Sequence, residues 1–172
     1  MLSASTRKIS CASELLAARL GLRGAGVRLV GIAGYLHDIG KLSVPVVLLD
    51  KPGKLAPDEM QLIRQHPYYT HQILSAVPGL ETVCAWAAFH HERLDGTGYP
   101  FRPRHLPLEA RIVAVADVFT AITEDRPYRP GMPKEACLSI LYKMVCEGAL
   151  DGDIVSYLPD IYDALHDAQA KA

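Results

Sequence analysis

Three apolar stretches of this 172-residue chain carry histidine or aspartate at levels where only hydrophobic side chains would be expected. GIAGYLHDIGK (Gly31–Lys41) contains His37 and Asp38, AWAAFHHERLDG (Ala85–Gly96) contains His90 and His91, and RIVAVADVFTAI (Arg111–Ile122) contains Asp117. A buried carboxylate is costly unless it is paired or bound to a metal, and one shared metal offsets that cost for every group that reaches it. Imidazoles with a bridging carboxylate form a ligand set for iron, manganese, zinc or nickel. A metal pair bridged by Asp38 suits phosphoester hydrolysis, because two ions about 3.5–4 Å apart clamp phosphoryl oxygens and activate water. If helix persists past His37, Lys41 lies on the same face at i,i+4, where its ammonium can meet a phosphate oxygen or protonate a leaving alkoxide. The alternative for Lys41 is a solvated lysine at a helix end.

The elements that position these groups read as helices. Ser5–Leu20 carries Ile9, Ala12, Leu15, Leu16 and Leu20 on one stripe, with Gly21 as the stop. Val27–Ile39 is a second, very apolar helix in which Gly31 and Gly34 admit a close neighbour. Ser43–Lys54 reads as a loop with one turn inside, followed by a helix from Pro57 to about Val77 that Pro67 kinks or breaks. Leu80–His91, Leu108–Thr123, Pro133–Glu147 and Asp151–Ala168 complete the set, with a Gly- and Pro-rich loop over Leu94–Pro107 and another loop over Asp125–Pro133. Val44–Leu49 is the sole strand candidate. The expected fold is an all-α bundle of about seven helices forming a single domain over 1–172.

Composition narrows the partners. Eighteen basic against nineteen acidic residues give a net charge of −1, so duplex nucleic acid is not the expected partner. No stretch approaches the roughly 20 apolar residues of a spanning helix, and the N-terminus lacks a signal core. Membrane insertion is therefore not expected, and a cytoplasmic location is. Cys11, Cys84, Cys137 and Cys146 have no CxxC spacing and read as buried thiols.

Longer motifs carry a resemblance. HDIGK at His37–Lys41, KPGKL at Lys51–Leu55, HPYYTHQIL at His66–Leu74, the eleven residues HHERLDGTGYP at His90–Pro100, AVADVFTAI at Ala114–Ile122 and EDRPYRPGM following it occur in that order. Together they resemble the HD-GYP family, a branch of the HD-domain metal-dependent phosphohydrolases, over nearly the whole length. The resemblance implies an HD-type bundle with a GYP loop and a divalent metal pair, iron or manganese first, nickel or zinc also acceptable. It implies metal ligation by His37, Asp38, His66, His90, His91 and Asp117, with Asp38 bridging and Lys41 beside the scissile phosphate. Tyr99, Arg126 and Arg129 fall where family members touch the ligand, which suits a stacking ring and two guanidinium forks. The implied substrate is cyclic-di-GMP, hydrolysed to pGpG and/or GMP, and GGDEF-domain proteins are implied partners through the GYP loop.

His71, His105 and His166 are expected not to be ligands, and Glu92 is expected to tie the helix end to the GYP loop. The sequence also departs from the family pattern. Ser5 stands at the place of a histidine in the first helix, Met1 at that of a glutamate found in three-metal members, and Thr70 at that of the glycine in HPxxG. A third metal is therefore not expected, and one of the remaining two loses a ligand. A catalytically impaired domain that binds cyclic-di-GMP or a protein partner is the alternative reading.

Overall fold

The computed structural model describes the backbone of residues 4–125 and 130–169 and the side chains of 5–125 and 130–165. These residues form ten α-helices and one 3-10 turn, with no strand among them. The helices are α1 (Ala4–Arg19), α2 (Ala25–Leu36), α3 (Val46–Leu49), α4 (Pro57–Ile63), α5 (His66–Ser75), α6 (Glu81–Ala88), α7 (Leu108–Thr123), α8 (Lys134–Cys146), α9 (Gly152–Val155) and α10 (Leu158–Gln169). The 3-10 turn, Ile39–Ser43, lies between α2 and α3.

The all-α expectation holds, and α7 has the expected bounds. The count exceeds seven because two long helices divide. Each division follows a proline rule: a proline ring clashes with the carbonyl four residues earlier, but fits a helix's first turn, where its missing N–H is not needed. Pro67 lies in the first turn of α5, and α4 ends four residues earlier at Ile63. Pro159 lies in the first turn of α10, and α9 ends four residues earlier at Val155. α3 is the turn expected inside the loop after Ser43.

The core surrounds α7. Ile112, Val113, Val115, Ala116 and Phe119 are buried on one broad face of it, and α1, α2, α6, α8 and α9 pack against it. α1 and α2 run antiparallel at close range, since a methyl at Gly34 would lie 2.7 Å from Ser13 Oγ and 3.3 Å from the Ile9 carbonyl. Lys8 on α1 meets Glu124 at the end of α7 (3.3 Å). Asp151 caps α9, accepting from the Asp153 and Ile154 amides, and pairs with Arg111 of α7. Among the cysteines, Cys84 and Cys137 are buried as expected; Cys11 and Cys146 are exposed, which corrects that reading, and all four are free thiols. Among the described residues no helix is long and apolar enough to cross a membrane.

Candidate metal centre

Four chain segments deliver six side chains to one place. α2 stops at Leu36 rather than Ile39, so His37 is its C-cap and Asp38 leads into the 3-10 turn. His66 is the first residue of α5. α6 ends at Ala88 rather than His91, so His90 and His91 occupy the turn behind it. Asp117 sits midway along α7. The carbonyl ends of α2 and α6 therefore point toward the cluster, and their negative partial charge favours a cation.

The histidine tautomers are set by backbone carbonyls, which can only accept. Nδ1 of His37 donates to Gly34 (2.7 Å), Nδ1 of His66 to Ile63 (2.8 Å) and Nδ1 of His90 to Ala87 (2.7 Å). Each ring in its neutral form thus presents a lone pair at Nε2. Nε2 of His66 faces Nε2 of His90 at 3.2 Å and Asp38 Oδ1 at 3.2 Å. Neutral rings in these tautomers set three acceptor atoms against one another with no hydrogen between them. A cation among them turns that repulsion into coordination, with the carbonyl partners fixing ring orientation. The donor atoms of His66, His90 and His91 lie within 4.8 Å of one another, as do those of His37, Asp38 and His90.

Asp38 joins the two groups. Its Oδ1 faces His66 and, at 4.0 Å, His90; its Oδ2 faces His37 at 3.3 Å and Lys41 at 2.5 Å. Asp117 closes the other side, 3.9 Å from His37 Nε2 and 3.9 Å from His91 Nδ1. Burial disfavours charge on Asp38, but the facing His37 ring and the Lys41 ammonium outweigh it and hold the carboxyl well below the usual range. Burial likewise opposes charge on His37, yet Asp38 and Asp117 raise its pKa. Asp117 is raised by burial and by the Asp38 charge. Burial and neighbouring imidazoles push His90 well below its ordinary value and His91 down to about 3.

These directions predict how the metal-free protein responds to acid. Unfolded histidines titrate near pH 6.5. Below that pH the unfolded chain takes up protons at His90 and His91 that the folded chain refuses, so stability falls with falling pH. His37, raised, opposes this only in the first unit below 6.5, where the unfolded ring finishes titrating, and adds no slope beyond. Asp38, lowered, loses its contribution only in stronger acid. Asp117, raised, offsets at most one proton. Urea unfolding should therefore show stability falling as the pH drops from 6.5 to 5, by about 1 kcal/mol or more in all.

Lys41 does not share a helical face with His37, because α2 has ended; it lies in the 3-10 turn and reaches Asp38 at i,i+3. Tyr99 stacks on His91, with centroids 4.9 Å apart and an interplanar angle of 30°, and its amide donates to the His91 carbonyl. Arg64 lies over the Tyr99 ring, 5.1 Å from its centroid. The sequence reading missed Arg64, although its place two residues before His66 was a usable signal. Arg126 and Arg129 lie outside the described residues. His71 packs on Phe101, and His105 is exposed. The His166 side chain lies outside the described ones.

Glu92 has the structural role expected of it. It is buried, and its Oε1 accepts from the amides of Phe101 (2.7 Å) and Arg102 (3.1 Å), tying the loop that carries Tyr99 to the end of α6. Glu92→Ala removes both bonds and should cost about 2 kcal/mol in urea unfolding. It should also speed hydrogen exchange at both amides.

Four imidazoles and two carboxylates converging on an all-helical scaffold define a candidate divalent-metal centre. The family model described as HD domain matches residues 1–154. The cyclic di-GMP phosphodiesterase response regulator RpfG of Xanthomonas campestris pv. campestris is 42% identical over 144 residues, covering 81% of this chain and 38% of that protein. The 3'3'-cGAMP-specific phosphodiesterase 1 of Vibrio cholerae is 40% identical over 151 residues, covering 87% of this chain and 35% of that protein. Among solved structures, Bd1817, an HDG"Y"P protein from Bdellovibrio bacteriovorus, superposes with a TM-score of 0.73 at 25% identity, covering 95% of this chain and 53% of that one. The HD domain of the phosphodiesterase PgpH of L. monocytogenes, at 17% identity and a TM-score of 0.72 over 95% of this chain and 89% of that one, shares the fold. The chain belongs to the HD-domain family, in its HD-GYP branch. It spans little more than a third of the length of the two curated relatives. Membership implies divalent metal binding, and the donor set described above fits it.

Proposed function

We propose that this domain is a metal-dependent phosphodiesterase that hydrolyses cyclic-di-GMP to pGpG and/or GMP. The observation that carries the reading is Asp38, whose two oxygens face two different sets of donors. His66, His90, His91 and Asp38 Oδ1 would hold one divalent ion, and His37, Asp38 Oδ2 and Asp117 the other. Iron or manganese suits this set best; nickel and zinc accept the same ligands. When bound, such a pair supplies Lewis-acid polarisation of the phosphoryl group and lowers the pKa of water.

The chain's own groups do the rest. Lys41 Nζ, half-exposed beside Asp38, neutralises charge on the phosphoryl oxygens and is placed to protonate the departing 3′-oxygen. Water oxygen bonds to phosphorus, the bond to the 3′-oxygen breaks, and a proton passes to that oxygen; a second hydrolysis of pGpG gives GMP. Tyr99, held beside the cluster by His91, is placed with Arg64 to contact a guanine. Arg126 and Arg129 would grip phosphate or a base edge, a role that rests on the resemblance of the DRPYR segment. The names of the relatives support a cyclic dinucleotide substrate.

The test is turnover by the purified chain, stripped of metal and reloaded anaerobically with ferrous iron or manganese, on cyclic-di-GMP and, separately, on 3′3′-cGAMP. Metal-dependent pGpG or GMP, resolved by chromatography, supports the reading. Cleavage of 3′3′-cGAMP alone reassigns the substrate, and no product from either with metal bound sinks the enzyme reading.

One observation favours the second reading, a binding module without turnover. Ser5 stands in the first turn of α1, at the end of the α1–α2 pair where His37 and Asp38 lie, and a neutral hydroxyl is a poor ligand for these metals. Ser5→His is expected to raise metal stoichiometry and turnover together; no change in either would remove Ser5 as the limiting feature.

A further inference from the structure

We propose that the Thr70 hydroxyl is a positioning group for the metal centre, a clamp that sets Asp38 against His66. The inference rests on the metal reading above and concerns a residue at which this chain departs from its family's pattern. Thr70 lies on α5, one turn beyond His66, and is fully buried. Its Oγ1 donates to the His37 carbonyl (2.9 Å) and accepts from the Gly40 amide (3.0 Å).

These two backbone groups flank Asp38. The last carbonyls of a helix and the first amides of a helical turn have no partner within their own element. The His37 carbonyl ends α2, and the Gly40 amide opens the 3-10 turn. One hydroxyl therefore serves both ends of the segment that carries the bridging carboxylate. The same segment is pressed onto α5, since a methyl at Gly40 would fall 2.0 Å from the His66 carbonyl and 2.4 Å from the Thr70 amide. Contact alone holds the turn close; the hydroxyl adds direction, fixing where Asp38 points relative to His66 Nε2, 3.2 Å from its Oδ1. A glycine at this place, as in the family pattern, would have no such hydroxyl. The clamp also shows why threonine at this place does not displace His66, which remains buried in the cluster.

Thr70→Val preserves shape and removes the hydroxyl, whereas Thr70→Ser keeps it. Two readouts on the whole chain decide the matter: Mn²⁺ affinity by calorimetry, and hydrogen exchange of the Gly40 amide by NMR without metal. In Thr70→Val, Mn²⁺ affinity should fall about tenfold or more, the range found when groups orienting metal ligands are lost. Gly40 exchange should quicken, and Thr70→Ser should restore both to within about threefold. If valine prevents folding, Thr70→Ala carries the same test. Unchanged Mn²⁺ affinity in the variants lacking the hydroxyl would overturn the proposal, as would a serine variant that loses as much affinity as valine. Failure of the unaltered chain to bind Mn²⁺ would overturn the metal reading itself, and with it the positioning role, whatever Gly40 exchange shows of the clamp.

Discussion

Asp38→Ala is expected to abolish the paired metal centre and to lower phosphodiester hydrolysis by about 10³-fold or more. Asp38 is the carboxylate that faces donors on both sides of the cluster. Asp38 contacts His37, His66 and Lys41 directly and stands 4.0 Å from His90. Alanine removes the one group whose two oxygens face both sets of donors. It also leaves the Lys41 ammonium without the carboxylate that balances its charge, so that charge then opposes metal entry. Metal content by elemental analysis should fall below one ion per chain, while helical circular dichroism stays near that of the unaltered protein. Asp38→Asn separates charge from shape: it keeps the volume but cannot bridge as an anion, and it should behave nearly as badly as alanine. A variant that retained two ions would show that Asp38 does not bridge.

The second large effect comes from one methyl group. Gly40→Ala would set a Cβ 2.0 Å from the His66 carbonyl and 2.8 Å from Thr70 Oγ1. The first is backbone in a helix's opening turn, so neither side yields cheaply, and the 3-10 turn must lift away from α5. Overpacking of this kind costs about 1–3 kcal/mol and sometimes more. The functional loss should exceed the stability loss, because the turn that moves carries Asp38 and Lys41 while α5 carries His66. Urea unfolding and Mn²⁺ calorimetry on one preparation check both halves. Stability reduced with metal affinity intact would mean that the turn and α5 do not set the ligand geometry.

Much of this site was legible before any coordinates. His37, Asp38, His90, His91 and Asp117 stood out as polar residues within apolar helical runs, a pattern whose burial cost points to a shared cation. His66 did not stand out by itself, since it precedes a proline behind an ordinary amphipathic helix, and motif resemblance alone singled it out. The helix ends were less legible. Periodicity carries Val27–Ile39 through His37, but α2 stops at Leu36, and the stop depends on Gly40 meeting α5, thirty residues away in sequence at Thr70. The i,i+4 argument for Lys41 failed for that reason. The division at Pro159, by contrast, was readable by the rule that located the one at Pro67 and was overlooked in a strongly periodic segment. Thr70 shows the deeper limit: its sequence position marks a departure, while its two hydrogen bonds belong to the tertiary fold.

Diffraction from crystals of the unaltered chain grown with Mn²⁺, collected at a wavelength where manganese scatters anomalously, tests the central claim most directly. The account predicts two anomalous peaks, one within coordination reach of His66, His90, His91 and Asp38, the other within reach of His37, Asp38 and Asp117. A single peak that Asp38 does not touch, or manganese bound only away from these six residues, would contradict it.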